Sequence, residues 1–143
     1  MLKLTELSNA DAQTDDVLTL PYESRQKNRL PATTNGGVMV GLFLPRGQRL
    51  RSGSILTGSQ GFKVRVEAAL EEVSIVYCED HLLFARACYH LGNRHVALQI
   101  MPGQLRYLAD HVLDQMLQGL GLSVEHRQLP FEPEAGAYHG HDH

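Results

Sequence analysis

The sequence predicts an α+β fold, with an N-terminal small all-β domain, then a ferredoxin-like βαββαβ domain, then a flexible His-containing tail. Three observations lead to this prediction. Short strand-like runs separated by turn residues fill the first 66 positions, amphipathic helical periodicity appears after Asp80, and Pro, Glu, Gly and His dominate from residue 129 onward. We therefore expect domains at residues 1–70 and 71–129 and a tail at residues 130–143.

The front domain shows strand signals with turns between them. Val17–Leu20 is a short apolar run, and the Asn35-Gly36 pair precedes the longer run Val38–Leu44, which predicts a hairpin. Phe62–Val66 alternates apolar with basic residues, as a half-exposed strand does. We expect Glu67–Glu72 to be a connector, so the predicted strands form a small sandwich or open barrel.

The rear domain begins with a strand at Val73–Tyr77 and a helix that Asp80 can cap. One face of this helix is apolar at the i, i+3, i+4, i+7 spacing, through Phe84, Ala87, Cys88 and Leu91. Gly92 is predicted to end the helix in the left-handed conformation.

A hairpin and a second helix follow. Pro102-Gly103 fits the centre of a type II turn between two strand-like runs. Asp110 can cap the second helix, and Ser123–Arg127 reads as the last strand. The apolar face of that helix contains Leu113, Met116, Leu117 and Leu120. The order strand, helix, strand, strand, helix, strand is the ferredoxin-like pattern.

Composition and motifs exclude several classes of function. The formal charge is −3, so nothing indicates a nucleic-acid partner, and no apolar run approaches the ~20 residues that cross a bilayer. We expect a cytoplasmic protein in which Cys78 and Cys88 are buried thiols. The sequence contains no Ser/His/Asp order, paired-carboxylate motif or phosphate-binding loop, so we do not expect an enzyme.

His95 is a candidate metal ligand. It follows His90 by five residues, which on a continuous helix would point the two rings about 140° apart, so they cannot share an ion. A lone loop histidine is either a solvated surface residue or one half of a site on a dimer axis, where the same residue meets its own copy. His90 is either a ligand or a residue that packs at the helix end.

Other histidines are weaker candidates. His111 lies in the first turn of the second helix, where the helix dipole favours the neutral ring, although a solvated role is equally compatible. Tail residues His139, His141 and His143 can add imidazoles to an ion that is held elsewhere. His81 and His126 have no evident companion.

The run Cys88–Gly103, with Gly92-Asn93-Arg94-His95 at its centre, resembles the UreE urease accessory proteins, a nickel metallochaperone family. The likeness extends through Leu44–Gly47, Leu50–Gly53 and Gln128–Glu134. It implies a homodimer in which His95 binds Ni(II) across the two subunits. In some relatives further histidines form a peripheral site, but this chain has Leu108-Ala109 before Asp110, which weakens the case for a complete second site.

The resemblance also implies partners and cargo. Ni(II) would be the cargo, with Cu(II) or Zn(II) able to substitute, and the partners would be the urease accessory GTPase (UreG) and the urease apoprotein complex. The front domain would engage a protein partner. Its candidate basic face comprises Arg46, Arg49, Arg51, Lys63 and Arg65. The alternative is a general copper, zinc or nickel buffer or sensor, because imidazole suits all three ions.

Overall fold

The fold is described from a computed structural model in which residues 1–135 are placed. The chain divides into two compact units between Ala69 and Leu70, one residue from the predicted boundary. Both units combine strands with helices or helical turns, which confirms the α+β class. Within residues 1–135 no helix is long and apolar enough to cross a bilayer.

The first unit is a six-stranded sheet with the strand order β2-β6-β5-β1-β4-β3. Its elements are β1 Leu2–Leu7, β2 Asp16–Leu20, α1 Tyr22–Arg25, β3 Arg29–Thr33, β4 Met39–Phe43, β5 Ile55–Gly58 and β6 Lys63–Ala68. Buried leucines and valines form one cluster, which includes Leu4, Leu18, Val40, Leu42, Leu56, Val64 and Val66. Burial of these apolar side chains stabilises the unit.

Local sequence explains several of these elements. The predicted Asn35-Gly36 hairpin joins β3 to β4 in antiparallel pairing, and the left-handed residue in the turn is Gly37 at φ 91°. The predicted connector Glu67–Glu72 is wrong, because β6 continues through Ala68 and only Ala69 separates it from the next strand. Five of the six residues 67–72 pair with neighbouring strands, and the periodicity of the sequence does not predict those partners.

The second unit is a four-stranded sheet with two helices. Its elements are β7 Leu70–Tyr77, α2 His81–Asn93, β8 Gln99–Met101, β9 Gln104–Leu108, α3 His111–Gly119 and β10 Val124–Pro130. The strand order is β10-β7-β9-β8, and every neighbouring pair is antiparallel. This is the predicted ferredoxin-like arrangement, and both helices contribute to one buried cluster with the sheet.

Caps and turns form as the sequence predicts. The Asp80 carboxylate accepts hydrogen bonds from the backbone N–H groups of Leu82 and Leu83 at the start of α2. Asp110 caps α3 in the same way. Gly103 adopts φ 67° in the turn between β8 and β9, as the third residue of a type II turn requires.

The segment after β10 packs against the second unit, so the predicted start of a flexible tail at residue 130 is wrong. Phe131 is fully buried, the Glu132 N–H donates to Gln99 Oε1 at 3.0 Å, and the Glu134 N–H donates to the Leu98 carbonyl at 2.8 Å. Because β10 and β8 are opposite edges of the sheet, the segment crosses from one edge to the other. Residues 136–143 lie outside the described part of the chain.

Candidate metal site

His95 lies just beyond α2 in the left-handed backbone conformation, at φ 58°. Its N–H donates to the Gly92 carbonyl at 2.9 Å, and the Val96 N–H donates to the Leu91 carbonyl at 3.3 Å. These two bonds form a Schellman motif, the commonest way to end a helix on a left-handed residue. The prediction that Gly92 holds this conformation is therefore wrong, because the helix continues through it to Asn93.

The helix end fixes the backbone at His95 while its side chain stays in solvent. Leu91 is fully buried and Val96 packs against the same apolar cluster, which is the hydrophobic contact that accompanies this kind of helix end. His95 itself is exposed. A left-handed non-glycine residue carries a backbone cost of about 1 kcal/mol or more. The chain therefore presents an imidazole at a conformation that glycine would occupy more easily.

A second apolar stripe runs along the solvent side of α2 toward His95. Leu82 and Tyr89 are 61% and 68% exposed, and Ala85 and Gly92 on the same face are also exposed. The spacing of 3, 4 and 3 residues places all four positions on one face of the helix. A Cβ added at Gly92 would have no atom within 4 Å, so another backbone can approach closely there.

The other predicted ligands that the structure describes do not form a cluster of metal ligands with His95. His90 is half-buried, with its ring edge-on to Tyr89 at 5.3 Å between centroids. His111 is exposed at the first position of α3, and its Nε2 accepts a hydrogen bond from the Gln115 amide nitrogen at 3.1 Å. Asp110 serves as the helix cap. No group of three or more potential metal-ligating side chains forms within residues 1–135.

His139, His141 and His143 fall outside the described residues. Before them, the Glu134 N–H donates to the Leu98 carbonyl, three residues after His95 in the sequence.

A buried carboxylate in the second unit was not predicted. Asp114 is 6% exposed, and its oxygens accept hydrogen bonds from the hydroxyls of Tyr107 at 2.6 Å and Ser74 at 2.8 Å. His126 Nε2 lies 2.6 Å from the other oxygen, so the expectation that His126 has no companion is wrong. The available signal was an acidic residue between Leu113 and Leu117 on the apolar face of α3.

The hydrogen bonds to Asp114 determine its titration. Burial raises the pKa of this carboxyl, but the hydrogen bonds from Tyr107, Ser74 and His126 outweigh burial, so the net pKa lies below its usual value. Burial, followed by the bond to Asp114, raises the pKa of the Tyr107 hydroxyl far above its usual value. The cluster holds α3 against the sheet and leaves no free carboxylate oxygen for a metal.

Cys78 is buried, as the sequence predicts, whereas Cys88 is only half-buried. Cys78 is 7% exposed, and its thiol donates to the Asp80 carbonyl at 3.4 Å. It lines a cavity of about 280 Å³ together with Glu79, the exposed His81 and Phe84. Cys88 is half-buried, and burial raises the pKa of its thiol. A raised pKa keeps the Cys88 thiol protonated, unlike the thiolate of a reactive cysteine.

The fold and the site together define a two-unit α+β protein whose described histidines His95 and His111 are exposed single imidazoles outside any enclosed centre. Two domain profiles of one protein family together match nearly the whole chain. Residues 2–69 match the N-terminal domain of the UreE urease accessory protein, and residues 71–143 match its C-terminal domain. The chain belongs to the UreE urease accessory protein family.

Several relatives that are named urease accessory protein UreE cover almost the whole chain. The protein from Alkalilimnicola ehrlichii is 58% identical over 140 residues, which are 98% of this chain and 86% of the relative. The Pseudomonas putida W619 protein is 54% identical, covering 100% and 89% of the two chains. The Escherichia coli O157:H7 protein is 53% identical, covering 100% and 96%.

Proposed function

We propose that this protein is a cytoplasmic metallochaperone that binds Ni(II) and donates it during assembly of the urease metallocentre. In this proposal two chains form a homodimer, and the His95 imidazoles of both subunits hold one ion. The recipient is the urease apoprotein in complex with its accessory GTPase (UreG). Membership in a family of urease accessory proteins supports the urease context.

The position of His95 at the end of the exposed apolar stripe on α2 carries the proposal. A stripe of Leu82, Ala85, Tyr89 and Gly92 exposed to water favours burial against another apolar surface. A second copy of the same helix supplies such a surface, and in a two-fold interface a residue beside the axis meets its own copy. The proposal therefore places the axis at the Gly92 end of the stripe, where the two His95 residues would meet.

An open site suits transfer. Imidazole is a good ligand for Ni(II), and a site made of few neutral donors at a subunit junction lets a competing ligand enter before the first ligands leave. His139, His141 and His143 are proposed to add donors from the chain that begins at the Glu134 anchor. His111 is proposed as a secondary ligand, because a metal must first displace the Gln115 amide from its Nε2 or use Nδ1.

Calorimetric titration with Ni(II), combined with light scattering, tests the proposal. The wild type should bind one tight ion per two chains at the mass of a dimer. His95→Ala should lose this tight ion and remain dimeric, whereas His81→Ala, which changes an exposed histidine at the start of α2, serves as the matched control. Unchanged tight stoichiometry in His95→Ala would refute the assignment.

The alternative function is a general copper, zinc or nickel buffer or sensor. The order of affinities among divalent ions favours Cu(II) over Ni(II) at almost any imidazole site, so metal affinity alone does not separate the two functions. Activation of the urease apoprotein does separate them. Ni(II)-loaded protein should activate urease faster than the same concentration of free Ni(II), and equal rates would favour the buffer.

A further inference from the structure

The outer face of the first unit carries an exposed apolar patch with two cations. We call it the Phe43 patch, and it comprises Met1, Lys3, Arg29, Met39 and Phe43, on strands β1, β3 and β4 or adjacent to them. Met1, Met39 and Phe43 are 70%, 61% and 38% exposed. Flexible thioethers beside an aromatic ring are typical of surfaces that adapt to bound segments.

A cavity of about 190 Å³ opens within this patch. Met1, Arg29, Pro31 and Phe43 line it, and Gly41 forms part of its floor. A Cβ built at Gly41 would lie 2.9 Å from the Met1 sulfur and 2.9 Å from Cε2 of Phe43. The absence of a side chain at Gly41 therefore keeps the cavity open, and its size suits one apolar side chain.

The charges around this cavity are uncompensated. Lys3 Nζ and Arg29 Cζ each lie 5.4 Å from the centre of the Phe43 ring, and neither forms a salt bridge with another described residue. The whole first unit is basic, with nine Lys or Arg against six Asp or Glu, whereas residues 70–143 have four against ten. The patch is thus electrostatically complementary to an acidic partner.

The edge of the sheet beside the patch disfavours partner binding by strand addition. β3 is the outermost strand, and the bonds from Leu44 N–H to the Asn28 carbonyl and from Thr34 N–H to the Val38 carbonyl set the phase of its pairing with β4. In that phase Pro31 faces the free edge, and it has no N–H to donate. A partner would therefore be held by side chains.

We propose that the Phe43 patch binds a short acidic segment of a partner protein, with an apolar side chain in the cavity and flanking carboxylates on Lys3 and Arg29. The proposal deepens the protein-partner role of the front domain and rests on the proposed function only for the identity of that partner. It places the contact on residues other than the basic ones predicted from sequence.

Fluorescence anisotropy with labelled peptides tests the proposal on the full-length protein. The probe is a peptide of about twelve residues with a central Leu-Phe pair flanked by Asp and Glu, and two controls replace its acids by amides or its Leu-Phe by Ala-Ala. The protein variants are Lys3→Glu/Arg29→Glu and Gly41→Ala. Arg49→Glu/Arg51→Glu is the matched control, because it makes the same change in charge at exposed positions elsewhere.

The acidic apolar probe should bind, and both control peptides should bind at least about tenfold more weakly. Its Kd should rise about tenfold in Lys3→Glu/Arg29→Glu and in Gly41→Ala, and should stay within about twofold in Arg49→Glu/Arg51→Glu. Equal binding of the amide peptide, or an equal loss in Arg49→Glu/Arg51→Glu, would overturn the proposal.

Two further outcomes would also overturn it. If Lys3→Glu/Arg29→Glu changes the mass in light scattering, the patch contacts a second copy of the chain. If the wild type binds phosphatidylserine vesicles through these residues but not the probe, the patch binds lipid. Ni(II) titration of the same variants separates the Phe43 patch proposal from the metal-site proposal, since tight metal binding should persist in all of these variants. Urease activation by the wild type tests the proposed function independently.

Discussion

His95→Gly separates the fold from the metal site more sharply than substitution by alanine does. At φ 58°, glycine removes a left-handed backbone cost of about 1–2 kcal/mol, and it adds about 0.5–1 kcal/mol of unfolded-chain entropy. The net expectation is stabilisation by about 0.5–1 kcal/mol. Alanine keeps the backbone cost and removes only an exposed side chain, so it should change stability by less than about 0.5 kcal/mol.

Urea unfolding followed by circular dichroism measures the stability, and Ni(II) calorimetry measures the affinity. His95→Gly should unfold at higher urea than the wild type and should bind Ni(II) at least about 100-fold more weakly, because even indirect partners of metal ligands are worth 10- to 100-fold. Destabilisation of the glycine variant by more than about 1 kcal/mol would contradict the helix-end geometry. Wild-type affinity for Ni(II) would contradict the ligand role.

Three further predictions concern the second unit. Tyr89→Lys should leave the chain folded but shift the mass measured by light scattering from that of a dimer to that of a monomer. A persistent dimer would exclude the α2 stripe as the interface. Because the pKa of Asp114 is lowered in the folded protein, the carboxylate stabilises the fold above about pH 4, and this stabilisation is lost as the pH falls further. Asp114→Asn should therefore lower the free energy of unfolding by about 2 kcal/mol at neutral pH and make it depend less on pH in acid. An unchanged dependence on acid pH would count against the cluster. A chain ending at Ala135 should fold normally and bind Ni(II) more weakly in calorimetry, and unchanged affinity would remove the tail from the site.

Local chemistry in the sequence was sufficient for the order of elements in the second unit. Asp80, Asp110 and Pro102-Gly103 act through groups within three residues of themselves, so their roles could be predicted from sequence spacing. The ferredoxin-like order followed from the alternation of strand and helix periods. Family likeness, not spacing, raised His95 above the other histidines.

The errors arose where distant residues decide the structure. Gly92 carries the usual helix-ending residue type, but the apolar contact of Leu91 and Val96 places the left-handed position at His95. The polar segment after residue 130 is held by the burial of Phe131 and by hydrogen bonds to the Gln99 side chain and the Leu98 carbonyl, which no local pattern predicts. The pairing of His126 with Asp114 likewise joins a strand to a helix twelve residues away.

Native mass spectrometry of the Ni(II)-loaded protein tests the shared-ion site most directly, because it counts chains and ions in one particle. The wild type should appear as two chains carrying one tightly held ion, and His95→Gly should appear as two chains from which that ion is lost. One ion on each single chain, or a dimer of the glycine variant that keeps the ion, would contradict a site built from two copies of His95.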